Sequence, residues 1–141
     1  MTNENKIILY EDQVDSLAKI RRAYKLGHRR VLFQLPTGGG KTVIAAYITM
    51  RLAQQGKRVL ALVHKRVLIE QMTQTIAQTG FIHDLGVIAA GYPMKIWAPL
   101  QVASINTLIR RDFVNPHPDF IIVDEAHHAR AKAWELSLIH I

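Results

Sequence analysis

Cysteine is absent from this 141-residue chain. That excludes a disulfide framework and any thiolate metal site. A reducing, cytoplasmic setting fits the absence. No apolar run approaches the ~18 residues needed to cross a bilayer, so no membrane-spanning helix is expected. The opening MTNENK is polar and lacks the apolar core of a signal peptide. Internal repeats, low-complexity tracts and linkers are also missing. Acidic residues are scarce, with 11 Asp+Glu against 18 Lys+Arg and a net charge of +7. An excess of that size on a small chain favours a polyanionic partner such as nucleic acid.

What is present is the balance of a folded domain, with hydrophobic residues at 49% and charged residues at 21%. The length suffices for one domain with its own core. A helix is expected over Glu11–Leu26, with Val14, Leu17, Ile20 and Tyr24 on its apolar side and Gly27 as its stop. Short apolar runs at Arg29–Pro36, Lys57–His64, Leu85–Gly91, Pro99–Ser104 and Pro118–Glu125 read as buried strands. Helical segments over Lys41–Gln55, Val67–Gln78 and Ile105–Arg111 fall between them. Strands apolar along their whole length, alternating with helices, imply an α/β fold: a parallel sheet with helices on both faces. Right-handed crossovers then bring the strands' carboxyl ends to one edge, where ligands bind in such folds.

Two stretches on that edge carry chemistry. LPTGGGKT (Leu35–Thr42) joins an expected strand to an expected helix, the context of a phosphate-binding P-loop. Gly38, Gly39 and Gly40 let the backbone turn its N–H groups towards phosphate oxygens, and the helix start adds partial positive charge. Lys41 can reach the β- and γ-phosphates of ATP, and the Thr42 hydroxyl can hold Mg²⁺. The full pattern places Gly where Leu35 stands, and an ordinary Gly-rich turn is the plainer alternative. Asp124 and Glu125 follow the apolar run FIIV. Asp124 can hold Mg²⁺ and Glu125 can polarise an attacking water as general base. Acids after a strand also serve as helix caps. His127 and His128, adjacent on a helix and without cysteine, make a poor zinc chelate.

LPTGGGKT and DEAH together resemble superfamily 2 DEAD/DEAH-box helicases and translocases, in the first of their two RecA-like domains. The narrower likeness is to the group of type III restriction subunits and XPB-like proteins. It covers roughly residues 7 to 135, with motifs in family order. The resemblance places motif I at Pro36–Thr42, including Thr37, and motif II at Asp124–His127. It makes Gln13 in LYEDQ an adenine contact with Tyr10 nearby, although Glu11 and Asp12 replace the more basic string usual there. It makes Lys65 and Arg66, in ALVHKRVLIEQ, contacts near a nucleic-acid backbone. Ser104 and Thr107, in VASINTL, become phosphate contacts, and His127 couples the nucleotide site to the second domain. Such loop residues hold a strand without reading its bases. Lys65 and Arg66 could equally be a solvated helix start, and Ser104 and Thr107 could be caps. Trp97 could stack on a base or pack on the domain surface.

The resemblance implies a parent that hydrolyses ATP with Mg²⁺ and moves on DNA, ahead of RNA. It also implies a second RecA-like domain in cis that this chain lacks, so residues 1–135 would form an incomplete domain with negligible turnover alone. The tail Leu136–Ile141 (LSLIHI) back-translates to CTG TCT CTT ATA CAC ATC, which resembles the adapter of a transposon-based sequencing library. That stretch is expected to be foreign to the gene. Two rival readings stay open: a P-loop ATPase acting on something other than nucleic acid, and a degenerate binding module. Oligomeric state and pathway are not legible.

Overall fold

The computed structural model describes residues 9–29, 40–78, 85–93, 95, 97–110 and 118–123. Among them run α1 (Glu11–Lys25), α2 (Lys41–Gln54), β1 (Val59–Val63), α3 (Arg66–Ala77), β2 (Leu85–Ile88), β3 (Leu100–Ser104), α4 (Ile105–Arg110) and β4 (Phe120–Val123). The strand expected at Arg29–Pro36 and the tail Leu136–Ile141 lie outside the described residues.

The four strands form one sheet in the order β2-β3-β1-β4, and every pairing is parallel. Register sets Val63 beside Ser104, Leu62 beside Val123 and Ile88 beside Ala103. The carboxyl ends of all four strands therefore share one edge.

The strand period of two divides the core between the faces. Val59, Ala61 and Val63 of β1 join Leu85, Val87, Leu100 and Val102 on one side, packed on Ala46 of α2 and Ile69, Met72 and Ile76 of α3. Leu60 and Leu62 join Ile88 and Ala103 on the other, packed on Ile105 and Leu108 of α4. β1 pairs on both sides and is buried throughout. β4 pairs with β1 alone among the described residues and is only half-buried.

α1 departs from the expected stripe. Its buried positions are Gln13, Ser16 and Leu17, while Val14 and Tyr24 are 51% and 43% exposed. Polar residues can occupy the inner face because their groups are satisfied. The Gln13 Oε1 accepts the Tyr10 N–H at 2.9 Å, and the Ser16 hydroxyl donates to the Asp12 carbonyl at 2.7 Å.

Two features that the apolar pattern does not reveal fix the sheet's amino edge. The Arg58 N–H donates to the Asp119 carboxylate at 2.9 Å, and the Asp119 and Phe120 N–H groups both donate to the Arg58 carbonyl. This clamp sets the register of β4 on β1. Beside it, the Gln101 amide of β3 donates from Nε2 to the carbonyls of Lys95 and Ala98, at 2.7 and 3.1 Å. Its register partner is Gly86, where a Cβ would collide with the Gln101 side chain. A glycine inside an apolar strand signals such a close approach.

Candidate functional site

The site begins at the N-terminus of α2. Gly40 caps this helix in the left-handed conformation, φ 71° and ψ 34°, which a side chain would make costly. Its carbonyl accepts the Ile44 N–H at 3.1 Å, the first helical bond. Lys41 is exposed and Thr42 half-buried on the first turn. No acidic residue lies on that turn. The initial N–H groups of a helix lack partners within it, so its partial positive end suits an anion.

Short connections orient α2. It ends at Gln54, and β1 starts at Val59, with the Lys57 N–H donating back to the Leu52 carbonyl. The helix must therefore run back against the strand, about 21 Å for 14 residues. Its start is carried to the carboxyl edge of the sheet. α1 runs the same way. Tyr24, near its end, meets Phe120 at the start of β4 edge-to-face, centroids 6.2 Å apart.

The start of α1 consequently reaches the start of α2. The buried Gln13 amide lies against Gly40, with its Nε2 occupying the space a Cβ there would need and its Cδ 3.5 Å from it. Gln13, Gly40, Lys41 and Thr42, singled out from sequence on separate grounds, are thus brought to one place. Contact between Gln13 and Gly40 was not foreseeable from spacing, since 26 intervening residues separate them. Tyr10 is 78% exposed just before α1. Thr37, Gly38, Gly39, Asp124, Glu125 and His127 lie outside the described residues, although β4 ends at Val123, the residue before Asp124. Among the described residues no cluster of His, Cys, Asp or Glu could hold a metal ion.

A second group occupies the same edge. β1 delivers Lys65, the N-cap of α3 in extended conformation, φ −107° and ψ 140°, with no side-chain capping bond. Arg66 opens α3 and meets Glu70 at 3.6 Å, with both side chains at least half exposed. Such a pair is worth little and leaves the guanidinium available. Its terminal nitrogen also approaches the turn at Gly91, which follows β2. Ser104 ends β3 level with Val63, and Thr107 stands half-buried on the first turn of α4. Neighbouring strands are about 4.8 Å apart, so Lys65, Arg66, Ser104 and Thr107 lie at adjacent strand ends. Trp97 is not among them. It is 62% exposed and precedes β3, at the opposite edge.

Residues 6–140 match the family described as type III restriction enzyme, res subunit. IRC3 of Saccharomyces cerevisiae, which carries a provisional name as an ATP-dependent helicase, is 36% identical over 94% of this chain and 21% of its own length. The type I restriction enzyme EcoKI endonuclease subunit of Escherichia coli is 30% identical over 82% of this chain and 11% of its own. The crystal structure of the UvsW helicase from bacteriophage T4 superposes with a TM-score of 0.71 and 22% identity, covering 93% of this chain and 48% of that one. That likeness carries the fold. The chain spans about a fifth of the length of IRC3 and less of the restriction subunit. Sequence, sheet order and the assembled helix ends agree: the chain belongs to the type III restriction res-subunit family, as a RecA-like domain of superfamily 2 helicase type.

Proposed function

We propose that this domain is the ATP-binding part of a nucleic-acid-dependent ATPase that couples hydrolysis of Mg-ATP to movement on or unwinding of DNA. The observation that carries the reading is the apposition of Gln13 to Gly40, Lys41 and Thr42 at one helix N-terminus. A buried amide beside an anion-binding helix end suits a ligand with a base at one end and phosphates at the other. Lys41 would steady the β- and γ-phosphates. Hard oxygen ligands suit Mg²⁺, and Thr42 with Asp124 would hold it. The ion would neutralise charge developing on the phosphates. Glu125 would take a proton from the attacking water as it adds to the γ-phosphorus, giving ADP and inorganic phosphate. His127 would relay the state of this site to a second RecA-like domain. An arginine from that domain would raise the rate on the order of 10³–10⁵-fold, so the isolated chain should turn over near background.

Lys65, Arg66, Ser104 and Thr107 would hold the strand's phosphates at the same edge, which supports nucleic acid as the partner. Salt-dependent binding of single-stranded DNA by the full-length gene product tests this directly. Tight binding that weakens steeply with salt is expected. Absence of binding at low salt would instead favour an ATPase acting on another substrate. Robust DNA-stimulated hydrolysis by the isolated chain, lost in Lys41→Ala, would overturn the need for a second domain.

A further inference from the structure

We propose that the amino edge of the sheet, opposite the nucleotide edge, is a second binding surface for single-stranded nucleic acid, with Trp97 as its stacking residue. Acidic side chains of the described residues gather towards the carboxyl edge, where they stand alongside Lys41, Lys65 and Arg66, whereas the amino edge is mainly basic. Glu11, Asp12 and Asp15 stand in the first half of α1, and Glu70 is the fifth residue of α3, all towards the carboxyl edge. The amino edge receives Lys57 and Arg58 ahead of β1, Lys95 and Trp97 ahead of β3, and Lys25 in the last turn of α1. Arg29 follows the turn in which the His28 N–H bonds back to the Ala23 carbonyl. Among the described residues the acid there is Asp119, and its carboxylate already accepts the Arg58 backbone N–H. Among the described residues none of these five cations has an acidic partner.

Helix polarity accounts for part of this charge, since a cation in the last turn complements the macrodipole. It accounts for Lys25, but not for Arg58 or Lys95, which lead into strands. The aromatic ring separates nucleic acid from a generic acidic partner. Trp97 is 62% exposed, yet its segment is fixed. The Gln101 amide holds the Lys95 and Ala98 carbonyls, the Ala98 N–H donates to Lys95, and the Val59 N–H donates to Pro99. A flat ring presented on a pinned backbone among cations offers a base a stacking partner at little ordering cost, while the cations take the phosphates. The edges are about 13–16 Å apart along four- or five-residue strands, so this surface is distinct from Lys65 and Arg66.

The test is binding of fluorescent oligo(dT) to the 141-residue chain without nucleotide or magnesium, so that its outcome is independent of the ATPase reading. Lys25→Ala/Arg29→Ala/Lys57→Ala removes three exposed cations, with folding checked by circular dichroism. Affinity should fall at least about tenfold at ~50 mM salt. The slope of log affinity on log salt should flatten by about 0.7 for each lost phosphate contact. Lys65→Ala/Arg66→Ala should add an independent loss. In a Trp134→Phe background, Trp97 fluorescence should be quenched by oligo(dT). Wild-type affinity and slope in the triple variant would overturn the proposal. So would unquenched Trp97 fluorescence with equal loss of binding to poly(Glu), which would mark the edge as a site for acidic protein.

Discussion

At the scale of single residues, two glycines hold space that other side chains occupy. Gly40 is left-handed, and its missing Cβ makes room for the Gln13 amide. Gly40→Ala should destabilise the chain by about 1–3 kcal/mol in denaturant unfolding, and should weaken nucleotide binding by displacing Gln13. An unchanged midpoint would contradict the packing described. Gly86 has ordinary backbone geometry, so its constraint is contact alone, with Gln101. Gly86→Ala should therefore cost much less when Gln101 is already alanine. A double-mutant cycle should return a coupling of about 0.5–3 kcal/mol, and additive effects would refute the contact. The first of these glycines is conspicuous in the sequence because it precedes Lys-Thr at a helix start. The role of the second depends on strand register, which no local pattern states. Gln101 itself looks like a polar residue misplaced in an apolar run until its two carbonyl partners are seen.

At the scale of elements, the apolar runs of β1, β2 and β3 gave their own positions away because both faces of these strands are covered. β4 reads the same way in sequence but is only half-buried among the described residues, since it pairs on one side. Helix faces were legible where packing is by hydrophobic contact. α3 buries Met72 and Ile76, four residues apart, with Ile69 more deeply placed than Leu68. α1 does not follow its expected stripe: Gln13 and Ser16 lie on its inner face, the first bonded to the Tyr10 N–H at the cap and the second to the Asp12 carbonyl one turn back. Met72→Ala should cost about 2–5 kcal/mol by leaving a cavity between α3 and the sheet, as unfolding would measure. Val67→Ala, at a position 59% exposed on the same helix, should stay within about 0.5 kcal/mol. Similar costs at the two positions would mean that α3 faces the sheet differently.

At the scale of the whole molecule, parallel pairing and helices that run back against strands bring separate sequence motifs to one edge. Gln13, Gly40, Lys41 and Thr42 gather at the start of α2; Lys65, Arg66, Ser104 and Thr107 gather at the ends of β1 and β3. The roles proposed for Thr37, Gly38, Gly39, Asp124, Glu125 and His127 rest on residue chemistry and the resemblance of their motifs, since these residues lie outside the described set. What was legible is chemistry written in contiguous residues; what was not is how distant motifs meet. The measurement that bears most directly on the central claim is ATP hydrolysis by the full-length gene product with and without single-stranded DNA, beside Lys41→Ala. The account predicts magnesium-dependent turnover stimulated by DNA and reduced to background by the substitution. Turnover unaffected by Lys41→Ala, or indifferent to DNA across salt concentrations, would contradict it.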